Sequence, residues 1–135
     1  MNIKPPVTED TTVTPSPVGE QGPDPAFPTN PVAGVQQLLV ALADPVRLEM
    51  IRRLMNTRAP MPCALLYDGI NKSTAAHHFK VLREVGLTER LVIDGHTHQR
   101  LRVDEVDAAV PGLMGAIVGA ANRASIPSRG GPTRS

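Results

Sequence analysis

The sequence predicts a mainly α-helical winged helix-turn-helix domain with one small β-hairpin, in the order helix, helix, short helix, helix, strand, strand, helix. Three observations support this prediction. Apolar residues recur at helical spacing from residue 35 onward, turn signals separate a short helix from a well-capped longer one, and strand-like alternation then surrounds an Asp-Gly pair. The core is expected to be aliphatic, because the chain has two Phe, one Tyr and no Trp.

The first two helices are predicted from periodicity and capping. Apolar residues follow Val35 at the next positions of one helix face, 38, 39 and 42. Asp44 and Pro45 supply an N-cap and a proline at the first helical position. The second helix is therefore expected to run to about Asn56, and the Pro-containing stretch 58–62 ends it.

A helix-turn-helix unit is predicted next. A short helix over Pro62–Tyr67 is followed by an Asp-Gly turn at 68–69. Asn71 is a good N-cap for a longer helix over Lys72–Val85, and Gly86 is a natural residue to follow its end. In such a unit the second helix is the one that fits the major groove of DNA.

A β-hairpin and a last helix complete the predicted domain. Leu87–Ile93 and Arg100–Val103 alternate apolar with polar residues, and Asp-Gly at 94–95 marks the turn between them. The last helical segment begins at about Asp104. It contains Pro111, which is expected to start or kink the final helix.

The chain is predicted to have three parts. Residues 1–34 hold eight prolines and carry Lys4 against four carboxylates, so a disordered, Pro-rich, acidic tail is expected. Residues 35–121 form the folded domain, and residues 122–135 a flexible basic tail. Because no apolar run is long enough to span a bilayer and no secretory signal is recognisable, a cytoplasmic location without membrane association is expected.

The predicted DNA-binding residues lie on the second helix of the unit and on the hairpin. The helix residues lie away from its apolar stripe and are hydrogen-bond donors or mixed donors and acceptors: Lys72, Ser73, Thr74, His77 and Lys80. The hairpin adds cations that are expected to grip phosphates: Arg90, Arg100 and Arg102. Double-stranded DNA is therefore the predicted partner.

Two motifs resemble the ArsR/SmtB family of winged-helix transcriptional regulators: Leu42–Ile51 (LADPVRLEMI) and Ser73–Leu87 (STAAHHFKVLREVGL). The resemblance covers about residues 35–119. It implies a homodimer, joined through its first and last helices, that binds an inverted-repeat operator and usually represses transcription. Gly115 and Gly119 lie one helical turn apart and would let two helices approach closely.

The sensing function implied by the resemblance is where this sequence departs from it. Family metal sites use several cysteines near the short helix, or carboxylates with histidines on the last helix. This chain has only Cys63, and its last helix has no histidine. No metal site and no cofactor are therefore predicted, and the effector is unknown. Cys63 is either an apolar filler or a redox-responsive thiol.

Two other functional classes compete with DNA binding. An enzyme needs a nucleophile, a base and an orienting group that converge, and no accompanying catalytic motif is present, so no catalytic residue is predicted. A winged-helix module that binds protein instead of DNA stays open, although Lys72 and Lys80 on the recognition face disfavour it. His96 and His98 could form a weak chelate, but solvated hairpin residues are the expected interpretation.

Overall fold

The computed structural model describes residues 22–125 and contains five α-helices and a small antiparallel sheet. The elements in chain order are β1 (Gly22–Pro23), α1 (Val35–Leu42), α2 (Pro45–Thr57), β2 (Met61–Pro62), a 3-10 turn (Cys63–Leu65), α3 (Lys72–Glu84), β3 (Thr88–Ile93), β4 (His96–Leu101), α4 (Val103–Ala109) and α5 (Leu113–Ser125). This is a winged helix-turn-helix, and the predicted fold class is confirmed.

The helix starts follow the predicted capping. The Asp44 carboxylate accepts hydrogen bonds from the backbone N–H groups of Val46 at 2.8 Å and Arg47 at 3.1 Å, and Pro45 opens α2. Burial opposes the charge of Asp44, but the N–H donors of Arg47 and Val46 outweigh it and hold the pKa of this carboxyl below its usual value. Asn71 caps α3 in the same way, accepting from the Thr74 N–H at 2.8 Å.

The predicted short helix over Pro62–Tyr67 is largely absent. The structure has the two-residue strand β2 followed by a 3-10 turn of three residues. The pairing with β4 explains the difference, because Met61 and Pro62 lie opposite Gln99 and His98 and the Pro62 backbone is extended, with φ of −56° and ψ of 139°. Pro62 fits an edge strand instead, and β2 is the outer strand beside β4.

The last helical segment is two helices. The chain turns at Pro111 and Gly112, where Gly112 has a φ of +82° and its N–H donates to the Asp107 carboxylate at 3.0 Å. The helix α5 then packs against α2, and Asn56 and Asn122 exchange two side-chain hydrogen bonds of 2.9 Å across this contact. Of the two outcomes predicted for Pro111, the start of a separate final helix is the one observed.

The hydrophobic core joins α1, α2, α3 and α5. Its most deeply buried side chains are aliphatic, as the composition predicts: Leu38, Met50, Ile51, Leu54, Leu82, Leu87 and Met114. Each fully buried aliphatic side chain contributes about 1.5–3 kcal/mol, so this cluster is what holds α3 against the rest of the domain. No helix among residues 22–125 is both long and apolar enough to cross a membrane.

The sheet has four strands in the order β1-β3-β4-β2, all antiparallel. Strands β3 and β4 form the predicted hairpin. Asp94 and Gly95 connect them with φ values of +51° and +79°, which matches the tight two-residue turn expected of an Asp-Gly pair. Strand β1 was not predicted. It lies on the outer edge of β3, with Gly22 opposite Val92 and Pro23 opposite Leu91.

Residues 22–34, which we name the arm, pack against the domain, although the sequence predicted disorder over all of 1–34. The arm crosses the end of α3, where the Ala33 N–H donates to the Val85 carbonyl at 2.9 Å. Gly86 has a φ of +81°, and a Cβ at this position would lie 2.4 Å from the Pro31 carbonyl oxygen. The composition does not reveal this packing, because the groups that bind the arm, such as the Val85 carbonyl and Arg102, lie far along the chain. The predicted tails otherwise lie outside the described residues, except that 122–125 belong to α5.

Candidate nucleic-acid interface

Helix α3 has one buried and one exposed face. Ala75, His78, Phe79 and Leu82 are buried against the core. The five residues predicted to contact DNA are all exposed on the other side: Lys72, Ser73, Thr74, His77 and Lys80. They share the first two and a half turns of the helix, the part that faces base edges in helix-turn-helix proteins.

The start of α3 is held by its cap and by a charged network that reaches from α2. Asn71 accepts from the Ser73 hydroxyl at 3.0 Å, which orients this hydroxyl beside the exposed face. Arg53 on α2 contacts both Glu49 at 2.8 Å and Asp68 at 2.7 Å, and it donates to the Leu65 carbonyl at 3.1 Å. The turn before α3 is therefore tied to α2 at two points.

Glu49 is the centre of that network. It accepts hydrogen bonds from Arg52 at 2.7 and 2.8 Å and from Arg53 at 2.8 Å. These bonds, first from Arg52 and then from Arg53, lower the pKa of Glu49 from 4.5 to about 2, although partial burial opposes the shift. The ionised form of Glu49 is thus the one that supports the folded arrangement.

His78 anchors the middle of α3 to the corner between α1 and α2. Its Nδ1 lies 3.1 Å from an Arg47 Nη1, and Arg47 Nε donates to the Ala41 carbonyl at 2.7 Å. Because a guanidinium can only donate, this contact favours the tautomer in which His78 Nδ1 accepts. Arg47 and His78 therefore have structural roles, and His77 is the histidine on the exposed side.

The hairpin arginines are engaged within the domain. Arg100 forms an ion pair with Glu89 on the neighbouring strand and lies 3.7 Å from Glu105, and its side chain is 36% exposed. Arg90 lies 3.1 Å from the Asp24 carboxylate of the arm and is 26% exposed. Both guanidinium groups reach the surface, but each already has a carboxylate partner.

Arg102 does not reach the surface. It is buried, and its Nη1 donates to the backbone carbonyls of Asn30 and, at 3.0 Å, Gly86. The structure gives Arg102 a different role from the predicted phosphate contact, because its guanidinium binds the arm to the end of α3. The sequence could not show this, since both acceptors are backbone groups brought close only by the fold.

Arg83 is a cation that the sequence prediction missed. It lies on α3, and its Cζ is 4.7 Å from the centre of the Phe27 ring, while that of Arg90 is 4.0 Å away. Burial lowers the pKa of Arg83, and the nearby positive charge of Arg90 lowers it further. An aromatic ring of the arm therefore lies against two arginines, one from the recognition helix and one from the wing.

A cleft of about 410 Å³ lies between α3 and the hairpin. Lys72 from α3 and Arg90 from β3 both line it, together with Cys63, Phe79 and Thr97. One cation from the helix and one from the wing therefore border the same cleft, and cations of this kind can contact phosphates.

Cys63 is half-buried between this cleft and a second one lined by His96 and His98. The buried Gln99 amide lies 3.7 Å from the Cys63 sulfur. Within the part of the chain that the structure describes, no three His, Cys, Asp or Glu side chains come together as a metal site. His98 Nδ1 faces the His96 carbonyl at 3.0 Å.

Comparison with known proteins gives a consistent result. Residues 42–90, from the end of α1 to β3, match the model of a helix-turn-helix domain. The chain is 35% identical over 80 residues to the uncharacterized HTH-type transcriptional regulator YceK of Bacillus subtilis, a match that covers 58% of this chain and 80% of YceK. An ArsR-like transcriptional regulator from Rhodococcus sp. RHA1 shares 20% identity with a TM-score of 0.49, over 69% of this chain and 88% of that chain.

The matched region contains the whole helix-turn-helix unit, including the exposed face of α3 and both motifs that resemble the ArsR/SmtB family. A regulator of this kind acts by binding DNA and is not an enzyme. By its domain and its relative, the chain belongs to the helix-turn-helix transcriptional regulators, and its fold is of the winged type.

Proposed function

We propose that the protein is a homodimeric repressor that binds an inverted-repeat DNA operator. The observation that carries this proposal is the exposed outer face of α3, which is polar along its first two and a half turns and backed by a hairpin wing. The direction of regulation is taken from the resemblance to the ArsR/SmtB family.

The roles of the residues follow from their chemistry. Ser73, Thr74 and His77 have both donors and acceptors and are proposed to contact base edges in the major groove. Lys72 and Lys80 can only donate, and their flexible ammonium groups suit phosphates. Lys80 is 63% exposed and lies 3.9 Å from Glu84, so its existing ion pair is weak.

The wing is proposed to contact the flanking backbone. Arg90 contributes from the cleft that it shares with Lys72, and Arg100 from the outer side of the hairpin. Because both have carboxylate partners, their contacts with DNA are expected to be weaker than those of the α3 lysines. Each would exchange one ion pair for another instead of gaining a new one.

A second copy of the chain is the proposed partner of α1 and α5. Three large apolar side chains on α1 are exposed to between 47% and 65%: Val35, Leu39 and Val40. On α5, Gly115 would place a Cβ in open space, and the nearest atom to a Cβ at Gly119 belongs to the flexible Arg123 side chain. Exposed apolar surface beside small residues is typical of a helix-to-helix interface between subunits.

The DNA half of the proposal is tested with duplex DNA of random sequence in a salt series. Counterion release predicts that the logarithm of the affinity falls linearly with the logarithm of the salt concentration. Selection of bound sequences from a randomised pool should then yield an inverted repeat. A flat salt response would overturn DNA binding and favour the alternative of a protein-binding module.

The dimer is tested by sedimentation equilibrium on the wild type and Gly115→Leu. The monomer has room for this side chain, and leucine is the better helix former, so the variant should fold. It should nevertheless dissociate more readily. The control, Ala108→Leu, places the same side chain on the exposed face of α4 and should stay dimeric. A monomeric wild type would overturn the dimer.

The signal that releases the operator is not assigned. Cys63 is the candidate for a redox response, because it is half-buried beside the cleft between α3 and the wing. A Cys63→Ser variant whose operator binding no longer responds to peroxide would support that alternative. The cytoplasmic location stays a prediction.

A further inference from the structure

We propose that the arm, residues 22–34, is a positioning element for DNA binding that fixes the wing relative to the recognition helix. Asp24 and Phe27 are its positioning residues. This inference rests on the proposed function, because it concerns how the two DNA-contacting elements are held, and it assigns a role to a segment outside the matched helix-turn-helix region.

The arm contacts both elements at once. On the wing it adds β1 to the outer edge of β3, and the Asp24 N–H donates to the Arg90 carbonyl at 2.9 Å. On the recognition helix, the Asn30 side chain donates to the Arg83 carbonyl at 3.0 Å. The arm thus adds hydrogen bonds to both elements, beside the direct packing of α3 against β3.

Phe27 lies at the centre of this junction. Its ring is within 4.7 Å of the Arg83 guanidinium from α3 and within 4.0 Å of that of Arg90 from β3. Two guanidinium groups repel each other, and an aromatic face is attractive to both. Asp24, 3.1 Å from Arg90, supplies the negative charge that this cluster needs. The arm thus holds together two like-charged side chains, one from each DNA-contacting element.

The position of Arg90 links the contacts made by the arm to DNA binding. Arg90 also lines the cleft that Lys72 lines, so the side chain that the arm holds is one of the two cations at this cleft. Base contacts from α3 need a fixed register, and phosphate contacts from the wing set that register. Loosening the arm should therefore reduce discrimination between operator and random DNA more than it reduces binding to DNA in general.

The test compares Phe27→Leu with Phe27→Trp in the full chain. Leucine keeps an apolar side chain and removes the π face, whereas tryptophan retains it. Phe27→Leu should weaken operator binding about tenfold and random-duplex binding about twofold or less, while Phe27→Trp stays within about twofold of the wild type for both. Asp24→Asn, which keeps an acceptor but loses the charge, should resemble Phe27→Leu. The control, Ala26→Ser, changes an exposed arm residue and should have no effect.

Hydrogen exchange provides the readout that does not depend on DNA. Phe27→Leu should speed exchange of the Asp24 amide, which donates to the Arg90 carbonyl, and of the β3 amides that face β1, while the global free energy of unfolding changes little. If these amides open and operator discrimination is unchanged, or if either variant binds the operator more tightly, the positioning role is overturned and the proposed function stands. If the wild type does not bind DNA, both proposals fall together.

Discussion

The outer face of α3 and the arginine-bearing wing use their polar residues in opposite ways. On α3 the polar side chains are exposed, and their hydrogen bonds within the domain are few and local. On the wing and beside it, every arginine has a partner within the domain: Arg83, Arg90, Arg100 and Arg102. The cations that the sequence predicts as DNA contacts are thus of two kinds. The lysines of α3 are free to bind DNA, whereas the arginines of the hairpin already have partners that stabilise the fold.

This difference separates binding from stability. Removal of an exposed lysine costs contacts with DNA and little folding free energy. Removal of a buried arginine leaves carbonyl groups without donors and costs folding free energy first. Substitutions at four positions test whether binding and stability depend on different residues, from the largest expected effect to the smallest.

The largest effect is expected for Arg102→Ala. The buried carbonyl of Gly86 and the partly buried carbonyl of Asn30 lose their donor, so the free energy of unfolding should fall by about 2 to 3 kcal/mol. Urea unfolding measures this change. The folded variant should bind random duplex DNA within about twofold of the wild type and with the same salt slope. Unchanged stability with weaker binding would instead make Arg102 a phosphate contact.

His77→Ala should have the next largest effect, on sequence preference. A base contact of good geometry contributes about 1–3 kcal/mol of discrimination, so preference among operator variants should relax at one position in each half-site. Competition binding against single-base operator variants measures it. Because His77 is exposed, its loss should leave the unfolding transition nearly unchanged. Unaltered preference at every position would exclude His77 as a reader.

Lys80→Ala should weaken binding to all duplexes alike, because a phosphate contact carries no sequence information. The salt slope should decrease by about one unit per subunit contact. Glu84→Gln is the matched control, since it removes the carboxylate 3.9 Å from the Lys80 ammonium and leaves the cation in place. It should bind at least as tightly as the wild type. A loss confined to one operator would contradict the phosphate role.

The smallest effect is expected on the free energy of unfolding at acidic pH. The pKa of Glu49 is lowered to about 2, so its ionised form stabilises the fold above about pH 4.5, and this contribution is lost as the pH falls from 4.5 toward 2. Because the Glu49 side chain is 35% exposed, solvent screening limits the contribution to about 1 kcal/mol or less. Glu49→Gln should therefore lose less stability than the wild type over this pH range. Parallel acid curves would show that the α2 network is not a stabilising one.

Local sequence signals predicted the elements that local physics determines. Asp44 and Asn71 cap α2 and α3 because an N-cap needs only its own backbone neighbours. The Asp-Gly pair at 94–95 fixes the hairpin for the same reason. The exposure of Lys72, His77 and Lys80 followed from helical periodicity alone, because the opposite face carries the apolar residues.

Contacts between distant parts of the chain were beyond those signals. Phe27 meets Arg83 and Arg90 across more than fifty residues, and nothing in residues 22–34 has the periodicity of a helix or strand. Whether each wing arginine is free to bind DNA likewise depends on which carboxylate or carbonyl the fold places beside it. The sequence identifies a positive charge, but only tertiary structure determines its partner.

Gly86 carries a consequence for how such chains can vary. At a helix end with φ near +81°, glycine is the usual residue and asparagine sometimes takes its place. Here the Pro31 carbonyl of the arm lies where any β-carbon would stand, so asparagine is excluded as well. Glycine at position 86 therefore indicates that the arm packs against this helix end. A relative with asparagine here must route its N-terminal segment elsewhere, which makes one residue a marker for a thirteen-residue element.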